Sequence, residues 1–180
     1  MKTVTMVIII LLNCASNLSL GQDSNNSKWI IHQNSFGEIN TDTDIDRILK
    51  VLKEEFTVTY KEDYIWVGDD IEMPIYYFEV KKDSDLMFQI HCNQLKKSLS
   101  FEIFSPAFKM ANGLSVGSKM EELIRQFEIV KCWYSSVDPS LFVYVKELNG
   151  IFIFDAQKKE DCSDLKNMPL NLVVKKIIVL

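Results

Sequence analysis

Twice along this chain a short stretch of helical periodicity gives way to a long stretch of period two, and that double switch limits the fold more than any single motif. From Asp44 to Phe56, Ile45, Ile48, Leu49, Leu52 and Phe56 fall on one apolar stripe. From Lys119 to Phe127, Met120, Leu123, Ile124 and Phe127 do the same. Thr43 stands where a residue would cap the first helix, with Asp44 and Asp46 at the positive end of its dipole. Ser118, with Glu121 three residues on, spells a capping box for the second.

Behind the first helix, strands are expected over Thr57 to Tyr60, Tyr64 to Val67, Ile75 to Lys81, Leu86 to Cys92 and Ser98 to Ser105. Behind the second they are expected over Glu128 to Trp133, Leu141 to Glu147, Gly150 to Ala156 and Leu172 to Leu180. Short polar turns such as Lys82-Asp83-Ser84-Asp85 and Leu148-Asn149-Gly150 keep successive strands adjacent and antiparallel. The expected fold is therefore α+β, an antiparallel sheet with both amphipathic helices on one side. Gly37 precedes the first helix as Gly113 and Gly117 precede the second, so the pattern reads as an internal duplication of a helix-plus-strands unit. The halves would be about 36–105 and 113–180. The core would set Ile45, Ile48, Leu49, Leu52, Met120, Leu123, Ile124 and Phe127 against Phe78, Phe88, Ile90, Phe101, Ile103, Ile151 and Ile153.

The beginning of the chain reads as an export signal. Lys2 is a positive start, and Val4 through Leu12 form an apolar run that Asn13, Ser16 and Asn17 interrupt well short of the ~20 residues a membrane span needs. Ser19-Leu20-Gly21 is a small-x-small cleavage site, which makes 1–21 a signal peptide and Gln22 the first mature residue. Leu11-Leu12-Asn13-Cys14 is the competing site, an imperfect lipobox that would put a lipid on Cys14. Residues 22–32 read as a polar tether carrying a first strand, and 33–180 as one domain; 159 residues past the signal are enough for a single core. The formal charge of −5, with basic and acidic residues interspersed, argues against nucleic acid as a partner.

Three cysteines lie past the signal, so an exported chain closes at most one internal disulfide. Cys132 and Cys162, both at strand ends beside polar loops, are the expected pair; Cys92 alternates with Phe88 and Ile90 and reads as a small buried hydrophobe.

The run Ser35-Phe36-Gly37-Glu38-Ile39-Asn40 ahead of one helix, with Ser105-Pro106 and Asn112-Gly113-Leu114-Ser115-Val116-Gly117 ahead of the other, resembles the exported bacterial lipoproteins of unknown function typified by the RpoE-regulated lipoprotein of enterobacteria. The resemblance covers roughly residues 33 to 130. It implies an envelope protein of α+β fold and brings no catalytic residues. The family's Gly-x-Gly-Pro-Ile run is altered here, with Phe36 and Glu38 flanking Gly37.

Local signs of catalysis are few. Histidine, the usual general base near neutral pH, occurs only at His32 and His91, and both read as surface or half-buried side chains. His91 and Cys92 are neighbours in a strand, point to opposite faces and cannot chelate one ion. Asp42, Asp44 and Asp46 open like a calcium loop, but Arg47 stands where glycine is needed and Lys53 where glutamate is needed, so they read as helix-start carboxylates. The chain is thus expected to be a non-enzymatic macromolecule-binding module of the envelope or of the secreted fraction, with no cofactor and no metal. The alternatives are a structural lipoprotein tethered through Cys14, or an enzyme whose site is assembled only in space. The candidate binding residues are Tyr64 and Trp66 before Gly68-Asp69-Asp70, and Trp133 and Tyr134 before Ser135-Ser136, because large amphipathic rings beside polar loops suit a protein or glycan interface. The competing assignment is that these rings pack in the core or cover a sheet edge.

Overall fold

The structure, a computed structural model, describes residues 28–67, 71–156 and 169–180. The signal segment, Cys14 and Cys162 lie outside these ranges, and with them the expected Cys132–Cys162 pairing.

A large sheet dominates the chain. Its strands are β4 (Thr57–Val67), β5 (Ile71–Lys82), β6 (Asp85–Cys92), β7 (Ser98–Ile103), β8 (Ile129–Tyr134), β9 (Ser140–Val145), β10 (Gly150–Asp155) and β11 (Val174–Val179), in the spatial order β4-β5-β6-β7-β11-β10-β9-β8. Every neighbouring pair is antiparallel. Two four-strand meanders thus meet through their last strands, β7 and β11. A second, three-stranded sheet is built from the two-residue strands β1 (Ile31–His32), β2 (Ser35–Phe36) and β3 (Ile39–Asn40).

These elements overturn the expected α+β class and the duplicated helix-plus-strands unit that went with it. Strand makes up 53% of the structure and helix 12%, so the protein is mainly β. Helices α1 (Ile45–Leu52) and α2 (Met120–Gln126) are eight and seven residues long, about two turns each, too short to form a layer over eight strands. The apolar stripe overstated the first helix: beyond Leu52 the chain turns, and the N–H groups of Glu55 and Phe56 both donate to the Leu52 carbonyl.

Both helix starts lie one residue from the expected caps. Asp44, not Thr43, caps α1, its Oδ1 accepting from the Asp46 N–H at 3.0 Å. At α2 the cap position is Lys119, whose N–H donates to Glu122 Oε2 at 2.8 Å. Ser118 instead closes the preceding turn, its hydroxyl oxygen accepting from the Ser115 N–H at 3.2 Å.

Ile45, Ile48 and Leu52 of α1, with Met120 and Leu123 of α2, join one buried cluster with Phe88, Ile90, Phe101 and Ile103. Leu49, Ile124, Phe127 and Phe78 are half-buried against it. The second meander contributes Leu141, Val143, Val145, Phe152, Phe154, Ile177 and Val179. Ile151 and Ile153, expected in this core, point to the other face, because cross-strand partners share a face and Phe152 pairs with Val143 and Ile177. On a strand apolar at every position, a one-residue error of parity exchanges the faces.

A group of rings lies at the centre of the core. Trp29, Phe36, Phe88 and Phe108 are at most 2% exposed, and Phe36 meets Phe88 and Phe108 edge to face at 4.8 and 4.9 Å. Trp29 and Phe36 come from the short N-terminal segment, which therefore covers the sheet beside α1. Gly37 makes that packing possible. It sits at φ +60°, and a Cβ there would lie 2.6 Å from the Lys28 carbonyl oxygen and 2.9 Å from the Trp29 ring.

Candidate functional site

Since the core occupies one face of the large sheet, the chemistry of the other face is set by the residues alternating with it. Cross-strand pairing places Trp133, Phe142, Ile153 and Lys176 in one row, and Tyr144, Ile151, Ile178, Glu102, Gln89, Glu79 and Thr59 in a second. A third row runs Ser100, His91, Tyr77, Lys61. This outer face therefore changes character at the β7–β11 junction. Over β4 to β7 it is polar; over β8 to β11 it is mostly apolar and aromatic.

On the apolar half, the Trp133 and Phe142 rings stack at 5.4 Å with only 12° between their planes, and the Lys131 ammonium lies 5.4 Å from the Trp133 ring. Trp133, Phe142, Tyr144, Ile151 and Ile178 are all half-buried, so part of each ring or aliphatic chain reaches the surface. Ile153 is buried among them. The Tyr144 hydroxyl is held at 3.1 Å from Asn149 Oδ1.

On the polar half, Glu102 is the hub. Lys176 Nζ donates to Glu102 Oε2 at 2.7 Å, and His91 Nε2 lies 3.4 Å from Glu102 Oε1, in ion-pair range but not aligned for a hydrogen bond. Tyr77 stacks on the imidazole at 5.5 Å. Burial pushes the Glu102 carboxyl up, and His91 and Lys176 together outweigh that and hold it below the usual carboxylate range. The arrangement is a charge network that compensates a half-buried carboxylate.

A cleft of about 560 Å³ lies on the core side, lined by Leu49, Tyr60, Tyr76, Phe78 and Cys92, with Asp46 and Lys96 among its polar groups. The Cys92 thiol donates to the Tyr76 carbonyl at 3.5 Å and is pushed up by burial, so it is a neutral apolar wall and not a nucleophile.

The four binding residues expected from sequence do not form one site. Tyr64 and Trp66 lie on β4 and Trp133 and Tyr134 on β8, the two outer strands of the sheet, seven strand spacings or roughly 34 Å apart along it. Trp133 and Tyr134, adjacent in one strand, also face opposite ways: Trp133 is on the outer face and Tyr134 packs half-buried against the core. Tyr64 is 51% exposed, and its hydroxyl donates to Glu62 at 3.3 Å. Sequence reasoning missed Phe142, Tyr144, Ile151 and Ile178, which complete the apolar half around Trp133; the signal was the unbroken apolar run of β10.

Gly113-Leu114-Ser115-Val116-Gly117 also has the Gly-x-Ser-x-Gly spacing of a nucleophile elbow. Its geometry is that of a turn. Ser115 is buried, its hydroxyl donates to the neighbouring Val116 carbonyl at 3.1 Å, and both glycines adopt positive φ to bring the chain to α2.

The fold and face together define a class: a mainly β protein with one open antiparallel sheet, capped on one side by short helices and a small sheet. Among solved structures it is similar to the uncharacterized protein yfeY from Escherichia coli, with a TM-score of 0.57 and 14% identity over 85% of this chain and 99% of that one. At that identity the likeness is one of fold. No family model matches the sequence, and no curated protein matches it.

Proposed function

We propose that this is an exported protein of the bacterial envelope or of the secreted fraction that binds another macromolecule through the outer face of its second meander. The observation that carries this reading is the apolar patch of Trp133, Phe142, Tyr144, Ile151 and Ile178, half-buried on a face the core does not use. Clustered aromatic and aliphatic side chains at a surface favour a partner because covering them removes apolar area from water, and a stacked Trp–Phe pair loses little side-chain entropy on binding. Export is supported by the apolar segment at 4–12 and by the sequence resemblance to exported enterobacterial lipoproteins. Whether the protein is released at Gln22 or anchored through a lipid on Cys14 decides whether this face works in solution or at a membrane.

Site-specific photocrosslinking tests the surface. A photoreactive phenylalanine at position 142 is expected to give a discrete adduct in intact cells, and the same group at Tyr77 is expected to give none. Equal labelling at both positions, or none at 142, removes the proposed face. Mass spectrometry of the intact exported product distinguishes the two processed forms.

A further inference from the structure

We propose that the free edge of β4 is a self-association surface, occupied by a second copy of this chain whose own β4 adds antiparallel across a two-fold axis at Glu62. Among the described residues β4 stands at the end of the sheet order and pairs with β5 on one side only. It is an 11-residue strand, and β6 supports β5 only as far as Tyr76, so the part of the hairpin beyond that point projects as a two-stranded ribbon. Pro74 fits there, on the stretch of β5 that has no second neighbour among the described residues.

The sequence of the edge selects the occupant. When an antiparallel sheet continues across a two-fold axis, facing residues share a face, so one residue must lie on the axis. Whichever parity turns its N–H and C=O groups outward, those groups then meet their counterparts. An axis at Glu62 overlaps all 11 residues from Thr57 to Val67, sets Lys61 opposite Asp63 twice, and sets Tyr60 opposite Tyr64 twice. Moving the axis to Lys61 or to Asp63 still leaves one like-charge pair on the axis and loses both Lys61–Asp63 pairs. Tyr60 and Tyr64 are each 51% exposed, and cross-strand aromatic pairs and opposite charges both stabilise a ladder. Within the chain, Lys61 faces Tyr77 and Asp63 faces Ile75, so neither meets an opposite charge across β5. Charges in the middle of an edge strand ordinarily discourage pairing. Here their order is self-complementary, which rejects other strands while admitting the same strand reversed. Glu62 meets its own mate on the axis and is the one repulsive contact.

Sedimentation velocity on the full exported chain tests this. The wild type is expected to dimerise, and Lys61→Asp or Asp63→Lys alone to weaken the dimer at least about tenfold, because each reversal creates two like-charge pairs. A one-to-one mixture of the two variants is expected to recover wild-type association as a heterodimer, since every Asp then faces a Lys. Glu62→Gln is expected to tighten the wild-type dimer severalfold. Unchanged thermal unfolding of the variants separates lost association from lost fold. A wild type that stays monomeric up to about 1 mM, a dimer indifferent to both reversals, or a mixture no better than its components overturns the proposal.

Discussion

The two meanders of the large sheet have the same strand count and the same neighbour order about their junction, yet their outer faces are made of different chemistry. In the first, Thr59, Lys61, Tyr77, Glu79, Gln89, His91 and Glu102 occupy the positions that alternate with the core, and Glu79 and Glu102 are each paired with a lysine. In the second, the equivalent positions hold Trp133, Phe142, Tyr144, Ile151, Ile153 and Ile178. The core-facing residues are apolar in both. Equal backbone therefore sets stability on the inner face, while the outer face is free to differ, and the half that retains apolar side chains there is the half that can gain by being covered.

The comparison can first be tested from the inside, where the halves should behave alike. Phe88→Ala and Phe152→Ala, one from each meander and both fully buried, are each expected to cost about 3 to 5 kcal/mol in denaturant unfolding. A much smaller loss for Phe152 would mean that the second meander packs more loosely. Leu123→Ala is expected to cost about 2 to 5 kcal/mol, and Leu49→Ala less, since Leu123 is fully buried and Leu49 only half.

A smaller effect belongs to the polar half. Glu102→Gln breaks a charge-assisted contact to Lys176 and is expected to cost about 1 to 3 kcal/mol near neutral pH. Because the folded carboxyl is held below the usual range, its contribution is complete above about pH 4.3, the ordinary glutamate value, and is lost as pH falls through the lower folded value. Unfolding measured from pH 7 downward should therefore show the wild type converging on Glu102→Gln in acid. Curves that stay parallel would show that the carboxylate is not coupled to folding.

A stability change no larger than that is expected where the functional change is largest. Trp133→Ser should cost about 2 kcal/mol, because the ring is only partly buried, and should abolish the crosslink at position 142. If it instead unfolds the protein, the Trp133–Phe142 stack is a structural pair and the apolar half loses its main anchor.

Most strands were legible because alternate burial is a local property. β6, β7, β9, β10 and β11 lie close to where period two places them, and the turn residues Asp83 and Asn149 both take positive φ. Period two places two strands where β4 runs, since Lys61-Glu62-Asp63 breaks the apolar alternation; the ladder to β5 carries the backbone through that charged centre without a gap. Leu99, inside the strand expected over Ser98 to Ser105, is 52% exposed because it is the extra residue in the bulge opposite His91 and Cys92. Of the candidate site, Trp133 was visible from its ring beside a polar loop, whereas its partners lie on β9, β10 and β11, where apolar residues on both faces hide which side turns outward.

What the sequence determined by itself was where the chain extends and where it turns, because those preferences act over a few residues. Which meander borders which, which side of β10 faces the helices, and that Trp29, Phe36 and Phe108 converge on Phe88 were decided only by tertiary structure. The physical reason is that a residue's face depends on the register of its neighbours, and register is set by burial summed over the whole sheet, not by any one strand. The same reason separates Tyr64 from Trp133: two similar local patterns became opposite edges of one sheet once β7 paired with β11.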